Sequence, residues 1–403
     1  MGAGQSSAAA SASKEETAVA PPAWADALTA TAFASVAKDF GRSGFERARR
    51  TWGGELDCTG KRCLVLGAEA PLGRAIADGL ARCGAAVHLT CPDLATANAL
   101  RNELVGATGS EEIHAHQCDL RRFRSIRELA ASFAIEFANL DVLIHSADIL
   151  PLQHRAGEDG VEEALALMLG GSFLLPALLL PHLAANDGGQ IIHVGSPEFL
   201  MVNAPLISLA AVQHRPKGWF DGVLHHARIK AIQQQLSVAW ASRLHAAAEA
   251  QAGARIRSNG MHCGWHEGSP SLLATPSVDG APNGWQLQRG GKLRRCNQAA
   301  DTVIWLAGQA DTDAGAPTGE CFFDRAPRPT ALRPPAEAKE RTRQTAGDVA
   351  LWEWCEQLCS CPCDPEQLLK TACPIRADKY RTRGSRDNAE SSAAPSEVST
   401  SMF

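Results

Sequence analysis

His226 and Lys230 stand four residues apart in a stretch whose composition predicts a helix over 221–248. One helical turn therefore brings an imidazole and an ammonium to the same face. An imidazole titrates near ~6.5, so it gives or takes a proton at neutral pH without the help a phenol needs. An ammonium beside it disfavours the imidazolium, which makes His226 a better base than acid. A second stretch points to a ligand rather than to a reaction. Gly67 and Gly73 bracket a short loop between the apolar run Cys63–Leu66 and a helical pattern from Leu72 to Cys83. Such a loop lets backbone N–H groups at a helix N-terminus face a pyrophosphate. The middle position is Pro71, which has no N–H to offer.

The elements that must position these groups alternate along the chain. Short apolar runs predict strands at 63–66, 86–89, 113–120, 141–144, 190–194, 255–261 and 320–323. Helical spacing separates them at 72–83, 94–105, 125–137, 161–183, 221–248 and 298–308. The expected fold is α/β: a single doubly wound Rossmann-type domain with a seven-stranded parallel sheet, flanked by disordered tails. Ligands in such sheets sit at the carboxyl ends of the strands, where Gly67, Asp119, His145, Ser196 and His262 fall. The expected boundaries are a disordered tail over 1–23, a helical lead-in over 24–56 and the α/β domain over 57–330. An extension with one packing helix follows over 331–387, then a disordered end over 388–403.

Composition narrows the function classes. The 403 residues are 45% hydrophobic and 21% charged, as in an ordinary globular protein. A net charge of −5 gives no basic surface for nucleic acid. Thirteen cysteines with no secretory signal ahead of them read as reduced thiols. The most apolar stretch, 164–184, is interrupted by Gly170, Gly171, Pro176 and Pro181 and does not read as a membrane span. The cysteines at 355, 359, 361, 363 and 373 lack a paired CxxC spacing and read as packing cysteines, and His225, His262 and His266 are not expected to be ligands, so no metal is expected. The start, Met-Gly-Ala-Gly-Gln-Ser, fits N-myristoylation at Gly2. A cytoplasmic location is expected, with peripheral membrane contact through Gly2 as the alternative.

The order of the pieces resembles the short-chain dehydrogenase/reductase superfamily, nearest its retinol-dehydrogenase-like branch, over roughly 40–330. FGRSGFERA, AAVHLTCPD, GEDGVEEALALMLG, WFDG, HCGWHEG, AADTVIWLA and GECFFDRAP carry the likeness. The resemblance implies catalytic positions at Ser196, His226 and Lys230. His226 stands where the family has tyrosine; the chain's one tyrosine, Tyr380, is in the polar tail. The resemblance also implies cofactor contacts at Gly67, Leu72, Gly73, Asp93, Asp119, Ser146, Ala147, Lys230 and Gly264. Asp93 either reaches ribose hydroxyls or caps a helix. Asp119 either lies near adenine or caps a turn. The family's Asn-Asn-Ala-Gly is His145-Ser146-Ala147-Asp148 here, and the Asn of its proton relay is Met168. The implied cofactor is NAD or NADP and the implied substrate a small hydrophobic carbonyl or alcohol, with a homo-oligomer as a further expectation. The alternative is a catalytically silent scaffold that binds nucleotide or partners.

Overall fold

Each buried run of four to six residues becomes a strand of one sheet, and the amphipathic segments between them cover both its faces. The computed structural model describes residues 37–186, 188–202, 209–216, 220–251, 255–270, 293–309, 317–330 and 338–371. The expected disordered tails, residues 24–36 of the lead-in and Gly2 lie outside these residues. The strands are β1 (Arg62–Leu66), β2 (Ala86–Cys91), β3 (Ile113–Gln117), β4 (Val142–His145), β5 (Gln190–Gly195), β6 (Arg257–His262), β7 (Cys321–Phe323) and β8 (Ala326–Arg328). The helices used below are α1 (Arg42–Arg49), α2 (Pro71–Arg82), α3 (Leu94–Thr108), α4 (Phe123–Glu136), α5 (Glu163–Leu183), α6 (Gly222–Gln251), α7 (Cys296–Gly308), α8 (Ala338–Cys359) and α9 (Pro365–Thr371).

The sheet order is β3-β2-β1-β4-β5-β6-β7-β8. β1 to β7 are parallel and β8 runs antiparallel to β7. The class expected from sequence holds, with the strand number corrected from seven parallel to eight mixed. The extra strand closes a hairpin whose turn residues, Asp324 and Arg325, both have positive φ, 53° and 58°. Two such residues match the twist of a two-residue hairpin, normally a place for Asn or Gly. Here the side chains are fixed instead: Asp324 pairs with Arg294 and Arg325 with Asp301. Pro327 sits within the edge strand, where proline is tolerated.

The core has two layers. Leu72, Ile76, Val303 and Ala307 of α2 and α7 pack under one face of the sheet. Phe133, Leu165, Phe173, Ile232 and Trp240 of α4, α5 and α6 pack under the other. The α8 residues Leu351, Trp352, Cys355 and Cys359 join that second layer. The cysteines at 355, 359, 361 and 363 are therefore packing thiols, and burial raises their pKa. α5 is long and apolar enough to cross a membrane, but 83% of its most apolar window is buried inside this fold. Its two prolines do not interrupt it. A π-helical turn, Gly170–Leu174, does change its register. Such turns concentrate at functional sites. A Cβ on Gly171 would stand 2.6 Å from the His145 ring, so glycine is what lets α5 approach β4.

Candidate active site

Strand order reverses beside β1, where β2 and β3 lie to one side and β4 to β8 to the other. That switch point opens a crevice at the carboxyl ends of the strands. Gly67 ends β1 with φ 78°, a conformation glycine adopts without penalty. A Cβ there would lie 2.6 Å from Ala147, and one on Gly73 only 2.2 Å from the Gly67 carbonyl oxygen. Both glycines are thus required by close backbone approach. Ala147 forms the floor under Gly67, and Ser146 ties β4 to β1 by donating its hydroxyl to the Leu66 carbonyl at 2.7 Å. Pro71 is the first residue of α2, where proline is favoured because that N–H has no intrahelical partner. The loop keeps its shape and loses one donor. The N–H groups of Leu72 and Gly73 remain in the first turn, the end that attracts anions.

The reactive groups gather on the same rim. Ser196 follows β5 and is buried. α6 packs against the short 3-10 turn Pro197–Met201 that follows Ser196. His226 and Lys230 are both buried on α6, at 1% and 3% exposure. Sequence reasoning missed the residue that joins them, Asp148. His226 Nε2 lies 3.0 Å and 3.1 Å from the two oxygens of Asp148, and Lys230 Nζ lies 3.0 Å from Oδ1. A carboxylate only accepts hydrogen bonds, so Nε2 must carry the imidazole proton. In the neutral ring Nδ1 then holds a lone pair, and it is buried with no hydrogen-bond partner among the described residues. Burial alone would raise Asp148; the charges of His226 and Lys230 and their hydrogen bonds hold it below the usual carboxylate range.

Ser196 is committed in a similar way. Its hydroxyl donates to the buried carboxylate of Glu198, two residues on, which leaves Oγ presenting lone pairs. The two acidic side chains share one neighbourhood. The buried Cys263 thiol is pushed up to about 12 by burial, then by Glu198 and Asp148. His266 is pushed down to about 4 by burial, against the opposing influence of Asp148. Gly264 follows Cys263 with φ 70°. Its neighbours are the Phe40 carbonyl and the Arg294 guanidinium rather than an open wall.

Behind Lys230 lies a buried polar network, and Met168, where the resemblance implies a relay asparagine, is a core residue. Lys230 Nζ donates to Gln233 Oε1 at 3.3 Å. The Gln233 amide nitrogen reaches Ser172 Oγ at 3.1 Å and His145 Nδ1 at 3.2 Å. Ser172 Oγ in turn lies 2.7 Å from His145 Nδ1 and 3.1 Å from His193 Nδ1. The π turn of α5 presents Ser172, and Trp240 holds its carbonyl at 2.9 Å. Burial pushes His193 down to about 3 and His145 well below 6.5, so both rings stay neutral.

At the far end of the crevice stand three carboxylates. Asp93 caps α3, accepting from the Thr96 N–H at 2.8 Å and the Thr96 hydroxyl at 2.7 Å, so capping is its observed role. Asp119 follows β3 and accepts two hydrogen bonds from the Arg121 guanidinium, each 2.9 Å. Glu69 lies in the glycine loop, raised by desolvation and by the proximity of Asp119 and Asp93. Among the described residues no group of three or more His, Cys, Asp and Glu side chains could hold a metal ion.

Comparison with known proteins agrees with this geometry. Residues 61–211 match the family described as short chain dehydrogenase. "Dehydrogenase/reductase SDR family member 12" of Bos taurus is 31% identical over 308 residues, covering 74% of this chain and 89% of that protein. Retinol dehydrogenase 13 of Homo sapiens is 35% identical over 137 residues, 34% of this chain and 41% of that one. The crystal structure of an uncharacterised protein from Mycobacterium Paratuberculosis superposes with a TM-score of 0.55 at 20% identity, over 76% of this chain and 95% of that one, a likeness of fold. A relative matched over almost its whole length, together with the glycine loop and the Ser196, His226 and Lys230 positions on one rim, settles the kinship: this chain is an oxidoreductase-like member of the short-chain dehydrogenase/reductase family.

Proposed function

We propose that the chain is an NAD-dependent dehydrogenase that oxidises a hydrophobic alcohol, with His226 in place of the family's tyrosine as the base. The observation that carries this reading is a donor and acceptor inventory. His226 Nδ1 offers a lone pair, and the Ser196 hydroxyl is engaged as a donor to Glu198. An alcohol O–H can donate to one of these acceptors, His226 Nδ1, whereas a carbonyl oxygen can donate to neither.

The nicotinamide cofactor fits the residues present. The tight Gly67–Gly73 loop, the first-turn N–H groups of Leu72 and Gly73 and the third donor of the Lys230 ammonium suit pyrophosphate and ribose. The carboxylates Glu69, Asp93 and Asp119 suit ribose hydroxyls better than a 2′-phosphate, which favours NAD over NADP. When bound, the nicotinamide supplies the hydride acceptor. The chain does the rest. His226 Nδ1 accepts the hydroxyl hydrogen bond and takes its proton. Asp148 fixes the tautomer and offsets the charge of the imidazolium that forms, while Gln233 steadies Lys230.

One observation favours a second reading, a nucleotide-binding scaffold without turnover: Lys230 already has two partners, Asp148 and Gln233. Thermal unfolding with and without millimolar NAD⁺, NADH, NADP⁺ and NADPH tests the cofactor. A ligand at 100 times its Kd stabilises by about 2.7 kcal/mol, so NAD⁺ should raise the transition by several degrees. No shift with any of the four sinks both readings.

A further inference from the structure

The reaction uses Asp148 only to hold His226, yet the same oxygen that faces Nε2 also faces Lys230 Nζ at 3.0 Å. The family's glycine at this position would leave the ammonium uncompensated. We propose that Asp148 makes this site hold the oxidised nicotinamide cofactor more tightly than the reduced one. The inference rests on the reading above, in which Lys230 faces the nicotinamide ribose.

The physical argument concerns a single charge. Oxidised and reduced nicotinamide differ by one positive charge on the ring, so the ratio of their dissociation constants reports the electrostatic potential there. The charged groups of the rim are Lys230, Asp148 and Glu198. His226 shares the Asp148 carboxylate with Lys230, and the titratable groups packed around these four stay neutral. Burial keeps His145 and His193 uncharged and keeps His266 uncharged near neutral pH, and it keeps the Cys263 thiol protonated. Arg294, the other buried cation nearby, is closed into a pair with Asp324 at 2.6 Å. The rim therefore has no unopposed positive charge among these residues, and Asp148 is the residue responsible for Lys230. One unit charge within ~10 Å at an effective dielectric constant of about 20 shifts such a ratio about tenfold.

The experiment is calorimetric or fluorescence titration of the full chain with NAD⁺ and with NADH, for the natural protein, Asp148→Asn and Lys230→Met. The natural protein should bind NAD⁺ more tightly than NADH. Asp148→Asn should move the ratio about tenfold toward NADH, and Lys230→Met should move it the opposite way. Should Asp148→Asn fail to fold, Asp148→Gly replaces it. Tighter binding of NADH by the natural protein overturns the proposal, as does an unchanged ratio on removing the Asp148 charge. Binding of neither nucleotide overturns the cofactor reading beneath it, and turnover plays no part in the measurement.

Discussion

His226 Nε2 and Lys230 Nζ each lie 3.0 Å from the same oxygen of Asp148. A histidine and an aspartate, at positions where the resemblance implies tyrosine and glycine, thus meet in space. The aspartate restores to the histidine what the lysine alone would take away: a neighbour that tolerates an imidazolium. The geometry has a consequence for mutagenesis. His226→Gln keeps bulk and polarity and loses the base, and it should lower alcohol oxidation by about 10²- to 10⁴-fold. His226→Tyr should not restore activity by itself, since Asp148 still occupies Lys230; Asp148→Gly combined with His226→Tyr should exceed either single variant. Initial rates of NADH formation measure all four.

Cofactor choice follows from the acidic end of the crevice. NADP⁺ should bind at least about tenfold more weakly than NAD⁺, because its 2′-phosphate meets Glu69, Asp93 and Asp119 while the two nearby guanidinium groups, Arg121 and Arg122, are already paired with carboxylates. Glu69→Gln should narrow that gap. Titration calorimetry with both nucleotides gives the comparison, and equal affinities in the natural protein would count against it.

A buried ion pair holds the wall beside Gly264. Arg294 is 1% exposed, donates to Asp324 at 2.6 Å and 2.9 Å, and also grips the carbonyls of Asp39 and Phe40 at 2.8 Å and 2.9 Å. Removing one partner of such a pair leaves an uncompensated charge. Asp324→Asn should therefore destabilise the fold by about 3–5 kcal/mol. Urea unfolding followed by circular dichroism measures this, and a loss under ~1 kcal/mol would mean the pair contributes little.

Acid should unfold the protein early. Burial pushes His88 down to about 2, His193 and His262 to about 3, and His116 and His266 to about 4. Each folded-state value lies below the unfolded one near 6.5, so the unfolded chain binds more protons in acid. Stability from these neutral rings is present above about pH 6.5 and falls as pH drops toward 4. Each ring contributes up to about 1.4 kcal/mol per pH unit. His88, hydrogen-bonded to His116 at 2.9 Å and stacked on His114, has the lowest value, so its contribution extends to the lowest pH. Melting temperature against pH should drop steeply from 6.5 to 4, and His88→Phe should flatten the curve.

Much of the fold was legible because parallel strands buried on both faces read as continuous apolar runs. Cys63–Leu66 and Val142–Ile144 stand out for that reason. The β7–β8 hairpin was not legible: its turn carries Asp324 and Arg325 where glycine would announce it, and the support comes from Arg294 and Asp301, distant in sequence. The rim residues Gly67, Ser196, His226 and Lys230 were readable from spacing and family likeness. Asp148 was visible only as a lost glycine, because its meaning depends on a contact 78 residues away. Glu198 carried no signal at all until its carboxylate was found on Ser196. The buried Gln233–Ser172–His193 network was hidden because polar residues on α5, β5 and α6 converge only once a π turn shifts the register of α5.

The most direct measurement follows NADH fluorescence as the full chain is mixed with NAD⁺ and a panel of hydrophobic primary and secondary alcohols, beside His226→Gln. The expected result is a rise in fluorescence with at least one alcohol, absent in the variant. NADH appearing at equal rates with and without the imidazole, or NAD⁺ bound by the natural protein and never reduced by any alcohol, would contradict a histidine-based dehydrogenase.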